Sequence, residues 1–157
     1  MRFVIVTGVS GAGKTAALKM LEDMGYFCVD NLPITLISKF AEMAYTPGSE
    51  IQRVALGVDI RSGAALESLE DVLEGMAAAS RKYEILFLDA ADDVLVKRYK
   101  ETRRTHPLAY GGRVDRGIRQ EREKLAFLKQ HADYIIDTSK LLTRELNMEL
   151  EKIFVEG

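Results

Sequence analysis

An internal disulfide is excluded in this chain of 157 residues, because its one cysteine, Cys28, has no partner. The apolar run Tyr26-Phe27-Cys28-Val29 around it reads as buried strand, so Cys28 is expected to be a small core residue rather than a nucleophile. A chain without cystines fits a reducing, cytoplasmic setting. No apolar stretch approaches the roughly 20 residues needed to span a bilayer, and the first residues read as a strand rather than a signal peptide. A soluble protein with no membrane partner is therefore expected. The formal net charge is only −2, which alone argues neither for nor against a nucleic-acid partner. Internal repeats, low-complexity tracts and linkers are lacking; Thr46-Pro47-Gly48-Ser49 is an ordinary loop signal. What is present, 47% hydrophobic and 29% charged residues, describes one globular domain over residues 1–157 with a core of its own.

The sharpest local signal is Gly8-Val9-Ser10-Gly11-Ala12-Gly13-Lys14-Thr15, directly after the apolar run Phe3-Val4-Ile5-Val6 and directly before the helical pattern Ala16-Ala17-Leu18-Lys19-Met20-Leu21-Glu22. Gly, four residues, then Gly-Lys-Thr between a strand and a helix is the phosphate-binding (Walker A) pattern. The glycines let the backbone curl so that successive N–H groups face phosphate oxygens, and the helix N-terminus adds about half a positive charge aimed at the same place. Lys14 is expected to reach the β and γ phosphates, and the Thr15 hydroxyl to ligate the accompanying Mg2+.

Five apolar runs, at 2–7, 26–30, 52–59, 84–89 and 133–137, alternate with helical patterns such as Leu66, Leu69, Val72, Leu73 and Met76. Unbroken hydrophobicity, as in Ile85-Leu86-Phe87-Leu88, fits strands buried on both faces of a parallel sheet. The spacing predicts an α/β three-layer sandwich with a parallel five-stranded sheet, a P-loop NTPase fold of the nucleotide-kinase kind. Right-handed crossovers then gather all strand C-termini on one edge. That edge should carry the phosphate loop, Asp30-Asn31, Asp59-Ile60-Arg61-Ser62, Asp89 and Asp137-Thr138-Ser139-Lys140. Asp59 is the first choice for orienting the waters of a nucleotide-bound magnesium. Asp89 is the second, and starting the next helix is an equal account of it. Asp30 stands where small-molecule kinases hold an acceptor hydroxyl; a turn with Asn31 and Pro33 is the alternative.

Residues 97–122 hold nine basic side chains, Arg103 and Arg104 among them, against three acidic ones. Between the two helical halves lies His106-Pro107-Leu108-Ala109-Tyr110-Gly111-Gly112. A basic segment over a triphosphate could supply arginines to the transition state; a solvated helix surface and an RNA-backbone contact are the other readings.

The loop, the block Leu21 through Pro33, Asp59-Ile60-Arg61, Leu86-Phe87-Leu88-Asp89-Ala90, Thr102 through Leu108 and Asp137-Thr138-Ser139 together resemble the RapZ/YvcJ group of bacterial P-loop nucleotide-binding proteins. The resemblance implies ATP at Gly8 to Thr15, a GTP-associated segment at Asp59, Ile60, Arg61 and Ser62, and slow hydrolysis of both nucleotides. It also implies, for the full-length regulator, small-RNA binding and presentation to a ribonuclease through a C-terminal domain that this sequence lacks. No Asn-Lys-x-Asp signature sets the base preference, and Thr138-Ser139-Lys140 sits where a purine-contacting loop would fall. Lys14, Thr15, Asp59, Arg103 and Arg104 are thus the expected catalytic set, with Thr15 and Asp59 on the metal. A small-molecule or nucleotide kinase is the rival reading, a nucleotide-switched binding module a third, and the oligomeric state is left open.

Overall fold

The structure, a computed structural model, describes residues 1–58, 63–102 and 114–156. In chain order the elements are β1 (Arg2–Gly8), α1 (Lys14–Asp23), β2 (Phe27–Val29), α2 (Ile34–Ala44), β3 (Arg53–Gly57), α3 (Gly63–Ala78), β4 (Glu84–Asp89), α4 (Asp92–Thr102), α5 (Val114–Gln130), β5 (Tyr134–Asp137) and α6 (Thr143–Phe154). The five strands form one sheet in the order β2-β3-β1-β4-β5. Every pairing is parallel, with β1 in register between β3 (Val4 opposite Ala55) and β4 (Val4 opposite Glu84).

Burial explains the hydrophobic pattern of the strands. Phe3 through Val6 on β1 and Ile85 through Leu88 on β4 are covered on both faces, so apolar side chains are needed at successive positions. The edge strands are only half covered, and Phe27 on β2 and Ile135 on β5 are each about half exposed. The first connection runs toward the β2 edge and the later ones run back. Right-handed crossovers therefore put α1 on one face of the sheet and α2, α3 and the α4–α5 pair on the other. The packing agrees: α1 lies on α6, α2 on α3 and α4 on α5.

The element that carries the phosphate loop is clamped at both ends. At the end of β1, a Cβ on Gly8 (φ +149°) would stand 2.2 Å from the Leu88 carbonyl oxygen of β4; only glycine lets the strands run this close. At the far end of α1, Gly25 takes φ +95°, and the Tyr26 and Gly25 N–H groups close on the Leu21 and Glu22 carbonyls at 3.0 Å each. That is the Schellman pattern. Tyr26 then donates its hydroxyl to the Phe154 carbonyl at 2.9 Å, tying α1 to α6. No helix among the described residues is long and apolar enough to cross a membrane.

Candidate functional site

Residues 8–15 join β1 to α1 at the carboxyl edge of the sheet, between β3 and β4, where neighbouring connections leave for opposite faces. Gly11 and Gly13 take φ +90° and +105°, and Gly13 is the N-cap of α1 with no side chain capping it. Three N–H groups of the loop are used internally. Val9 donates to the Leu88 carbonyl and Ala12 to the Val9 carbonyl, both at 3.1 Å, and Ser10 donates to Glu121 Oε1 at 2.6 Å. Among the described residues, no hydrogen bond takes the N–H groups of Gly11, Gly13, Lys14 or Thr15. A run of unsatisfied donors at a helix N-terminus is an anion cradle.

The loop's carbonyls are held on the outside. Arg98 of α4 donates to the Gly11 carbonyl at 2.8 Å, and Thr138 Oγ1, just past β5, donates to the Ala12 carbonyl at 2.8 Å. Arg98 also holds the Thr138 carbonyl at 2.9 Å. With the Ala12 oxygen engaged from behind, the N–H of the same peptide, that of Gly13, is left for the cradle. In the segment Thr138-Ser139-Lys140, Thr138 staples the loop, while Ser139 Oγ accepts from the Ala91 N–H at 2.7 Å.

Lys14 Nζ stands 3.3 Å from the Val58 carbonyl and 3.3 Å from Asp30 Oδ1. Asp30 lies at the end of β2, packed so closely on Gly57 that a Cβ there would meet Asp30 Oδ1 at 2.4 Å. The same oxygen accepts from the Asn31 N–H at 2.8 Å, with Asn31 at φ +55°. The chain bends at Asp30 and Asn31, and a half-exposed carboxylate stands beside the loop lysine. Thr15 is exposed on the first turn of α1. Among the described residues, no group of three or more His, Cys, Asp or Glu is placed to hold a metal. The Thr15 hydroxyl is left to serve a divalent cation together with phosphate oxygens and water, as magnesium is held with nucleotides. Asp59, Ile60, Arg61, Ser62, Arg103 and Arg104 lie outside the described residues.

Asp89 serves otherwise than as a free carboxylate. It is buried at the end of β4, with Oδ1 held by Arg122 Nη1 at 2.8 Å and Oδ2 by Lys129 Nζ at 2.7 Å. Burial alone would push its carboxyl up. The hydrogen bonds from Lys129, Arg122 and the Ala90 N–H outweigh that and hold it below the ordinary carboxylate range. Cys28 is half-buried, donates to the Leu18 carbonyl at 3.3 Å and is pushed up to about 11 by burial and by Glu22, which suits a core thiol.

Glu121 was visible in the sequence only as a counter-charge in the basic segment. It is fully buried, accepting from the Ser10 N–H and, at 2.5 Å, from Ser10 Oγ. A signal was available: Ile118, Leu125 and Leu128 mark a helical stripe that also contains position 121.

A phosphate cradle on a parallel sheet in this order defines a nucleotide-binding domain with the P-loop kinase-like fold. A family model described as the RapZ-like N-terminal domain matches residues 1–157, and the chain belongs to that family. It is 65% identical over 156 residues to a nucleotide-binding protein of Lachnoclostridium phytofermentans, covering 99% of this chain and 55% of the relative. It is 60% identical over 157 residues to one of Agathobacter rectalis, covering 100% and 54%. The chain thus spans about half the length of these curated relatives. Among solved structures, a shikimate kinase from Bacteroides thetaiotaomicron superposes with a TM-score of 0.64 at 19% identity, covering 97% of each chain; that likeness shows the fold alone.

Proposed function

We propose that this domain binds a magnesium nucleoside triphosphate, ATP or GTP, and hydrolyses it slowly. The carrying observation is the cradle: open N–H groups at Gly11, Gly13, Lys14 and Thr15, with the loop carbonyls pinned outward by Arg98 and Thr138. In this reading the amides and Lys14 hold the phosphates, and leaving Asp30 for the nucleotide costs Lys14 little, because a half-exposed ion pair is worth at most about 1 kcal/mol. Thr15 and Asp59 organise the metal. Asp59, Ile60, Arg61 and Ser62 form the GTP-associated segment, and Arg103 and Arg104 stabilise charge on the γ-phosphate. Water attacks that phosphorus, the bond to the β-phosphate oxygen breaks, and nucleoside diphosphate and phosphate leave. For the longer protein we propose a cytoplasmic RNase-adapter role, with RNA and a ribonuclease engaged outside this domain. Calorimetry with Mg·ADP, Mg·ATP and Mg·GTP on wild type and Lys14→Ala tests the core of this. Loss of binding and turnover in the variant supports it, and equal turnover would refute the role given to Lys14.

A second reading, phosphoryl transfer to a hydroxylated small molecule or nucleotide, is favoured by one contact. Asp30 Oδ1 lies 3.3 Å from Lys14 Nζ, where a carboxylate could take the proton of an acceptor hydroxyl as its oxygen attacks the γ-phosphorus. Nucleotide turnover that rises steeply only with an acceptor, and collapses in Asp30→Asn, would decide for this reading over hydrolysis.

A further inference from the structure

The acid at position 121 breaks the pattern of its own helix. Ile118, Leu125 and Leu128 are at most 1% exposed, and Glu121 in the same stripe is 0% exposed. A leucine there would bury without desolvation, whereas a carboxylate needs donors that replace its water. Ser10 supplies two, its N–H to Oε1 at 2.6 Å and its hydroxyl to Oε2 at 2.5 Å, both of the strong, charge-assisted kind. The next residue reaches elsewhere: Arg122 donates to Asp89 at 2.8 Å, to Asp92 at 2.7 Å and to the Ala90 carbonyl at 2.6 Å. Consecutive residues of α5 therefore grip the phosphate loop and the end of β4.

One consequence concerns the cradle itself. Ser10 is the third residue of the loop, and the bond to Glu121 orients its peptide toward α5 while Gly11, Gly13, Lys14 and Thr15 keep theirs open. That peptide is held by a helix 111 residues away in the chain as well as by the glycines around it.

We propose that Glu121 is a positioning residue of the phosphate site. It acts through Ser10 to pre-form the loop, and it makes phosphate binding and the packing of α5 a single linked equilibrium. This rests on the loop being a nucleotide site. The test uses the 157-residue chain, Mg·ADP as probe, calorimetry and amide hydrogen exchange. In wild type, Mg·ADP is expected to slow exchange both in residues 8–20 and in residues 116–125. In Glu121→Ala the dissociation constant should rise about ten-fold and the protection of α5 should vanish, with that of residues 8–20 reduced but present. Glu121→Gln keeps an acceptor for the Ser10 N–H and should recover affinity to within about three-fold of wild type. Ser10→Ala removes only the hydroxyl bond from the loop side, and it should weaken binding several-fold and thin the α5 protection even if Glu121→Ala fails to fold. A Glu121→Ala chain that melts lower but binds Mg·ADP and protects α5 as wild type does would overturn the proposal, leaving a purely structural acid. If Glu121→Ala does not fold, wild-type affinity and protection in Ser10→Ala would do the same. Wild type with no Mg·ADP protection in residues 8–20 would instead overturn the nucleotide reading beneath it.

Discussion

Replacing Thr138 by valine removes the hydroxyl that ties the phosphate loop to the end of β5. The two side chains share a shape, Thr138 is only 5% exposed, and the change deletes a hydroxyl that donates to the Ala12 carbonyl at 2.8 Å. Ala12 is itself fully buried, so its oxygen is left without that donor in a place water does not reach. A buried acceptor stripped of its donor costs about 1–3 kcal/mol, a fall of about 3–10 °C in Tm for a domain of this size. Arg98 loses the 3.3 Å bond it donates to that hydroxyl but keeps its shorter bonds to the Gly11 carbonyl at 2.8 Å and the Thr138 carbonyl at 2.9 Å, so the damage should centre on the Ala12 peptide. That peptide must then be ordered by the ligand rather than before it arrives, and Mg·ADP should bind about ten-fold more weakly. Thermal melts and calorimetry on the same preparation read both effects. A melting point within about 1 °C of wild type with unchanged affinity would refute the staple, and a lower Tm with unchanged affinity would refute its link to the cradle.

Three further outcomes follow from packing and charge. Gly8→Ala places a methyl where the Leu88 carbonyl oxygen is 2.2 Å away; it should cost more than about 3 kcal/mol, seen as loss of soluble protein or a collapse of the chemical-denaturation midpoint. Asp89→Asn removes the charge that Lys129 and Arg122 share and should destabilise by about 1–3 kcal/mol at neutral pH. Because the Asp89 carboxyl is depressed in the fold, its contribution is present above the unfolded value of 3.8 and is lost as pH falls through the folded one. The gap between wild type and Asp89→Asn in urea melts should therefore close in acid, and a gap constant down to pH 2 would contradict the ion pair. Cys28, pushed up to about 11, should resist iodoacetamide at pH 7.5 in the folded chain and react quickly only after denaturation.

Some of the site was legible because its requirements are local. The loop needs glycine where the backbone turns to positive φ, a lysine and a threonine at set offsets, and a strand and helix on either side; residues 8–15 contain all of that within one short stretch. The sheet was legible for a similar reason, since strands covered on both faces are apolar at nearly every position. The contacts that shape the loop are another matter. Thr138 and Ala12 lie 126 residues apart, and Arg98 and Gly11 are 87 apart. Arg98 and Arg122 were counted with the basic segment, yet one holds the loop and the other holds Asp89. The same +1 charge serves a surface or a staple according to which carbonyl or carboxylate stands opposite.

The sequence by itself determined the parallel α/β architecture, which depends on periodicity, and the phosphate loop, which is a contiguous motif, and its separate blocks carried the resemblance to the family that the family model matches. Only the tertiary structure decided that Asp30 faces Lys14, that Asp89 is locked by Lys129 and Arg122, and that Glu121 holds Ser10 from within the core. A side chain's charge and shape are written in the residue, but whether a carboxylate is a free ligand, half an ion pair or a buried anchor depends on the donors that folding brings to it.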